Sequence, residues 1–359
     1  MASWKLKVEG MVHTLVVQSP TPQSRFSTAQ ISSAQRSSLP SFQPPIGHTV
    51  STDQKIVILL ATFNGADHLV EQLESFSNQS HKNWELVVSD DGSTDCTIDI
   101  VRQFAMDVQQ RVTIVEGPQQ GFWKNFLSLL RHQESDGDAD LFALSDQDDV
   151  WFSDKLRRAA DWFATQPKDG PALYFSRTEL VGEDGASLGY SPLFKRKPIF
   201  QNALVQSIGG GNTMVLNRAA KLLVARTPAD VALVSHDWWS YQVITGAGGK
   251  AFYDPEPSLS YRQHGRNLVG SNKGLRQRLI RLTAFANRRV KIWNDINLCA
   301  LDEMRYLLSE KAMLTLDRFS SARSATFPRN VYLLWRSGVY RQQALETLGM
   351  YLGSLLGLI

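Results

Sequence analysis

Cysteine is scarce: Cys96 and Cys299 are the only two in 359 residues, and neither sits in a CxxC or Cys/His ligand spacing. That excludes a disulfide framework and a structural zinc site, and it fits a reducing cytosol. The long apolar core of a secretory signal is also missing. The run at residues 12–17 is short and broken by His13 and Thr14, which argues against export. No stretch reaches the ~20 apolar residues that cross a bilayer, although residues 345–359 come closest. Acid is absent from residues 257–294, where nine Lys or Arg stand without one Asp or Glu. The net charge of +3 is nevertheless too small to single out nucleic acid as a partner.

What is present reads as an ordinary globular protein, 43% hydrophobic and 20% charged. Residues 19–53 are dominated by Ser, Pro, Gln and Thr, with few large aliphatic side chains to bury, so residues 1–54 are expected to be a flexible leader. Beyond Lys55 short apolar runs alternate with helical periodicity. Residues 56–60, 85–89, 112–115 and 141–144 read as strands, and residues 69–76, 94–105 and 122–131 as helices. Ser153 is the expected N-cap of a further helix through Phe163, followed by a strand at residues 172–176. Strands alternating with helices imply a mostly parallel, Rossmann-like α/β sheet covered on both faces. Residues 274–316 read as helical, with Leu275, Leu279, Leu282, Phe285 and Ala286 on one face.

In such a sheet ligands bind beyond the carboxyl ends of the strands. Three polar segments fall there: Thr62-Phe63-Asn64-Gly65, Asp90-Asp91-Gly92-Ser93-Thr94-Asp95 and Ser145-Asp146-Gln147-Asp148-Asp149. Carboxylates crowded at one edge repel unless a cation compensates, and Asp146 with Asp148 is a pair suited to a hard divalent ion that leaves room for diphosphate oxygens. Asp95 or Thr94 is expected to cap the helix that follows.

These segments, in this order and spacing and with Val150-Trp151 completing the third, resemble the inverting family 2 glycosyltransferases of the GT-A fold, and among them rhamnosyltransferase-like enzymes of bacterial surface polysaccharide synthesis. The resemblance covers roughly residues 55–270, the expected catalytic domain. It implies that Thr62, Asn64, Asp90 and Asp91 line the nucleotide pocket, with Asp90 accepting from a pyrimidine base. It implies further that Asp146 and Asp148 form the DxD pair holding Mg or Mn and the donor, and that Asp237 is the catalytic base. The family usually carries Glu before that base, and here His236 stands in its place, leaving His236 as a second candidate. His264 resembles a late histidine that reaches the metal or diphosphate, with a solvated loop histidine as the alternative. Gly209-Gly210-Gly211-Asn212 lies near the sugar and acceptor by resemblance, and equally reads as a tight bend. Trp238 and Trp239 suit either sugar stacking or the core. Arg262 and Arg266 suit phosphate oxygens or a basic face.

The implied reaction takes a nucleotide diphosphate sugar, dTDP-rhamnose before a UDP-sugar, to a glycan or lipid-linked glycan. Residues 271–359, helical, basic and partly apolar, suit peripheral attachment at the cytoplasmic face of the inner membrane, chiefly through residues 273–291. A nucleotidyltransferase shares the sheet and metal but normally has a Gly-rich basic loop after the first strand. A nucleic-acid-binding protein leaves the acidic strand ends unexplained.

Overall fold

The computed structural model describes residues 54–133, 137–167, 169–263 and 289–359. The expected leader, apart from Gln54, lies outside them, as do His264, Arg266 and the expected apolar face from Leu275 to Ala286. Strand β1 (Ile56–Thr62) explains why the chain reads there as an unbroken aliphatic run. Its alternate residues enter two different cores. Val57 and Leu59 pack with Phe126, Leu129 and Leu130 of α3 (Phe122–Arg131), while Ile56, Ile58 and Leu60 pack with Leu69, Leu73 and Phe76 of α1 (Leu69–Ser77). A strand covered on both faces has no polar side to alternate with.

Strands β2 (Trp84–Asp90), β3 (Val112–Glu116) and β4 (Leu141–Ser145) join β1 in parallel, with α2 (Thr97–Asp107) between β2 and β3. Helix α4 (Lys155–Ala164) adds Leu156, Ala159 and Phe163 to the second core. Its N-cap position falls to Asp154, without a side-chain bond, rather than to Ser153 as expected. The carbonyl of Ser153 accepts from the amide of Ser80, and the amide of Phe152 bonds Ser258, so the chain is still committed elsewhere at those residues.

The other half of the sheet mixes directions. β8 (Val215–Asn217) lies antiparallel between β4 and β6 (Ala172–Val181), and β6 runs parallel to β9 (Lys250–Arg262). β7 (Ser187–Tyr190) and β5 (Val150–Trp151) are antiparallel additions to β6 and β9. The order is β3-β2-β1-β4-β8-β6-β9-β5. Strands β1, β2, β3, β4, β6 and β9 share one direction, so the sheet is mostly parallel, as expected. Helices α5 (Phe200–Ala203), α6 (Arg218–Ala225) and α7 (His236–Gly246) complete this half.

The sheet cannot be flat. β4 and β5 are four places apart in the order, yet only residues 146–149 separate them in sequence. Four inter-strand steps span roughly 19 Å, whereas five Cα steps reach at most about 17–18 Å fully extended. The sheet therefore curls, and the Asp146–Asp149 turn bridges its middle to its far edge.

Beyond residue 288 come α8 (Arg289–Glu303), α9 (Glu310–Ser324), α10 (Arg329–Ser337) and α11 (Ala344–Leu355). The expected continuous helical pattern breaks between α8 and α9, where a 3-10 turn at Arg305–Leu307 precedes Ser309, whose hydroxyl caps α9 through the amide of Ala312. These helices build no separate core. Leu301, Leu316, Phe319, Leu334 and Met350 belong to the same buried cluster as Val57 and Leu59.

Candidate active site

Strand register brings the three polar segments together. Thr62 is paired with Asp90 across β1 and β2, and Leu60 with Ser145 across β1 and β4, so all three follow strands that end side by side. Thr62 donates its hydroxyl to Asp90 Oδ1 at 2.8 Å. Ser93 adds its hydroxyl to the same oxygen, and the amides of Gly92 and Ser93 donate to Asp90 Oδ2. Asp90 thus fastens its own loop to the end of β1. Asp91 fastens the next loop: its oxygens accept from the amides of Gln119 at 2.6 Å and Gly121 at 2.8 Å. Gly117 admits this approach, since a Cβ there would stand 2.9 Å from Asp91 Oδ1. Asn64, at φ +47°, accepts from the amide of Thr94 and donates its own amide to Ser93 Oγ. The N-cap of α2 is Cys96, without a side-chain bond, rather than the expected Asp95 or Thr94; Asp95 accepts instead from the amide and hydroxyl of Thr97, the first residue of the helix.

The Asp146–Asp149 turn is stapled to the first loop by a residue whose role sequence did not reveal. The carboxamide of Gln147 accepts from the amide of Phe63 at 2.8 Å and donates to its carbonyl at 3.1 Å. Gly65 leaves the room, because a Cβ there would fall 2.2 Å from Gln147 Oε1. Lys155 was also missed, and Asn212, read only as the end of the glycine segment, has a partner that the sequence did not show. Asp149 is buried and accepts from Asn212 Nδ2 at 2.6 Å through Oδ2, while Oδ1 has no hydrogen-bond partner among the described residues. Lys155, fully buried, donates to the carbonyl of Asn212 at 2.6 Å and lies 4.2 Å from the centre of the Trp151 ring. The available signal was a lysine in line with Ala159 and Phe163 on the apolar stripe of α4.

Charge at this turn is poorly compensated by protein alone. Burial, then the charges of Asp148 and Asp237, push the Asp146 carboxyl up to about 8. Burial, then the charges of Asp148 and Asp146, raise Asp149 well above the usual range. Lys155 is pulled down to about 7 by burial, against the opposing pull of Asp149 and Asp146. Oxygen donors in such a setting suit a hard cation. Among the described residues no three His, Cys, Asp or Glu side chains form a ready-made metal cage; Asp146 and Asp148 are the pair in this turn that could hold a cation. His264, the expected further ligand, lies outside the described residues.

The start of α7 separates the two candidates for the base. Asp237, half-buried in the first turn, accepts from the amide of Trp238 at 2.7 Å and faces Asp146 closely enough to repel it. His236 turns inward, stacked on Phe126 with ring centres 3.9 Å apart, under Gly211, where a Cβ would stand 2.2 Å from Nε2. Neither ring nitrogen has a hydrogen-bond partner among the described residues, and burial pulls the imidazole down to about 4. The glycines at 209–211 are thus a close-packed bend, with Gly209 against Phe175 and Gly211 against His236. The tryptophans belong to the core: Trp238 Nε1 donates to the carbonyl of Ala203, and Trp239 Nε1 to Thr227 Oγ1. Arg262 is committed to Glu71 and to the carbonyl of Glu183.

Residues 57–220 match the family model described as Glycosyl transferase family 2. The chain is 27% identical over 244 residues to the dTDP-rhamnosyl transferase RfbG of Shigella flexneri, covering 64% of this chain and 80% of the relative. It is 26% identical over 164 residues to the Bacillus subtilis protein TuaG, named for teichuronic acid biosynthesis, covering 45% of this chain and 62% of the relative. Among solved structures, the mannosyltransferase PcManGT from Pyrobaculum calidifontis, in complex with GDP-Man and Mn2+, aligns with a TM-score of 0.46 at 18% identity over 85% of each chain. The three strand-end segments fall within residues 57–220, the stretch similar to the Glycosyl transferase family 2 model, and the chain is a glycosyltransferase.

Proposed function

We propose that the protein moves a sugar from a nucleotide diphosphate to a hydroxyl of a glycan or lipid-linked glycan, with inversion, in bacterial surface polysaccharide synthesis. The observation that carries this reading is the meeting, at one sheet edge, of the Thr62–Asp90 pair, the Asp146–Asp149 turn and the Asp237 carboxylate at the head of α7. The similarity to RfbG favours dTDP-L-rhamnose as donor, with UDP-sugars as the second class. Thr62, Asn64, Asp90 and Asp91 line the nucleoside side of the crevice.

Asp237 takes the proton of the acceptor hydroxyl as its oxygen attacks the anomeric carbon. The bond from that carbon to the diphosphate oxygen breaks, and the nucleoside diphosphate leaves with the electron pair. Asp146 and Asp148 would hold a divalent ion, Mg or Mn, which when bound would supply Lewis-acid stabilisation of the departing diphosphate. The partnerless oxygen of buried Asp149 and the mutual repulsion of Asp146 and Asp237 support a cation in this place. His236, neutral and enclosed, shapes the floor beneath Gly211 and takes no proton from the acceptor.

The test is thermal stabilisation by dTDP, UDP and GDP with and without Mn2+, followed by transfer from the donor whose nucleotide stabilises most. The expected result is metal-dependent stabilisation by dTDP and release of nucleoside diphosphate with inverted product stereochemistry. Release of pyrophosphate instead would make the protein a nucleotidyltransferase and overturn the reading.

A further inference from the structure

We infer that the outward face of α10 and α11 seats on an anionic lipid bilayer surface. This goes beyond the transfer reaction and does not depend on the donor. Helix α11 is amphipathic the wrong way round for a helix that only packs on protein. Its buried positions are Met350, Gly353 and Ser354, while Leu345, Leu348, Leu352 and Leu355 lie exposed at spacings of three and four, on one stripe. Leu345 is 80% exposed and Leu356, just beyond the helix, 72%. The four leucines of this helix therefore face away from the core that Met350 and Tyr351 join.

Helix α10 lies beside it, tied by Asn330 Nδ2 donating to the carbonyl of Ser354. Its inward residues are Asn330, Leu334 and Ser337. Its outward residues combine aromatic rings with arginine: Tyr332 and Trp335, with ring centres 6.3 Å apart, stand between exposed Arg329 and Arg336. Phe327, 70% exposed, precedes the helix. Rings with a polar edge, arginines whose stems bury while their heads stay wet, and an aliphatic stripe are the parts of an interfacial helix.

Charge chooses the occupant. From residue 318 to the end the chain holds five arginines and one acid; Arg341 pairs with Glu346 and Arg323 with Asp295, and Arg329 and Arg336 are the exposed arginines of this face. A second copy of the same face would oppose arginine to arginine, whereas an anionic headgroup layer complements it. Among the described residues no helix is long and apolar enough to cross a membrane, so the contact is with the surface. The sequence pattern had put attachment chiefly at residues 273–291, of which all but the last three lie outside the described residues.

The experiment sediments the purified full chain with vesicles of phosphatidylglycerol and phosphatidylethanolamine, and separately with phosphatidylcholine vesicles. Binding to the anionic vesicles only, weakening as salt rises, is expected. Arg329→Glu and Arg336→Glu should each lower partitioning about fivefold or more. Leu348→Ser with Leu352→Ser should lower it further while leaving circular dichroism and turnover of a soluble acceptor unchanged, because both leucines are already exposed. Sedimentation of either variant as complete as that of the unaltered chain overturns the proposal, as does failure of the unaltered chain to bind anionic vesicles. A concentration-dependent dimer that the paired serine variant dissolves would assign the face to a second copy instead.

Discussion

Asp149 is joined to the buried ammonium of Lys155 through a single residue: Asn212 donates its amide to Asp149 Oδ2 and offers its carbonyl to Lys155 Nζ, each at 2.6 Å. The link crosses from the acidic turn to the residue that follows the bend at 209–211 and on to the first residue of α4. It gives the acidic turn a cation of its own and fixes where the bend sits.

Lys155→Met should therefore unfold at lower denaturant. Removing one member of a buried charge constellation costs about 3–5 kcal/mol, because the partners stay buried and uncompensated. Asn212→Ala should cost less and should not be additive with it, since the two share one network. Chemical denaturation of the two single variants and the double variant measures both effects, and full additivity would argue against the link.

Asp237→Asn should keep donor and metal affinity and lower turnover by about 10²–10⁴-fold, the usual cost of losing a general base. His236→Ala should lose stability by roughly 2–4 kcal/mol, as a buried ring leaves a cavity against Phe126, while retaining a rate within about tenfold of the unaltered enzyme. Single-turnover kinetics beside equilibrium binding of the donor nucleotide separates the two. A rate loss confined to the His236 variant would exchange the assignments.

Asp148→Ala should abolish the Mn2+-dependent part of stabilisation by the donor nucleotide while leaving the protein folded. Asp146→Asn should do the same and, with metal chelated at pH 8–9, should be more stable than the unaltered chain. The sign follows from a carboxyl raised to about 8: its folded state is neutral where the unfolded state is charged, so stability is lost as pH rises from the ordinary carboxylate range through about 8. Undiminished activity of the Asp148 variant in EDTA would remove the metal from the proposed mechanism.

His236 gives the opposite slope. Its ordinary value is 6.5 and its folded value about 4, so below pH 6.5 the unfolded chain takes up a proton that the folded chain refuses. Stability should fall by about 1.4 kcal/mol per pH unit between those limits from this residue alone. His236→Leu should flatten that part of a stability profile measured by urea titration. Gly211→Ala, which drives a methyl onto the ring, should cost about 1–3 kcal/mol in the unaltered protein and less in His236→Ala.

The sequence carried much of this because local patterns dominate in the first half of the sheet. The runs at residues 56–60 and 141–144 are continuous where both strand faces are covered, and the three polar segments follow strands whose register is set by those runs. Direction was not legible in β8: Val215–Asn217 is too short for its side chains to record whether its neighbours run with it or against it. The working partners of the acidic turn were hidden for another reason. Gln147 meets Phe63 across 84 positions and Lys155 meets Asn212 across 57, and no period in the chain marks contacts of that kind. Trp238 and Trp239 looked equally suited to a sugar or to the core until their indole N–H groups were found satisfied inside.

The curl of the sheet gives the acidic turn a second office. Residues 146–149 are the clasp that fastens the middle of the sheet to its outermost strand, so whatever grips Asp146 and Asp148 also tightens the clasp. Val150 and Trp151 pair with Ser260 and Leu259 of β9, and the amide of Phe152 adds one bond to the carbonyl of Ser258. So short an edge opens readily on its own. Loading the turn with a divalent ion should therefore slow amide exchange at the rim around Leu259 and Ser260, residues on β9 that belong to none of the three strand-end segments.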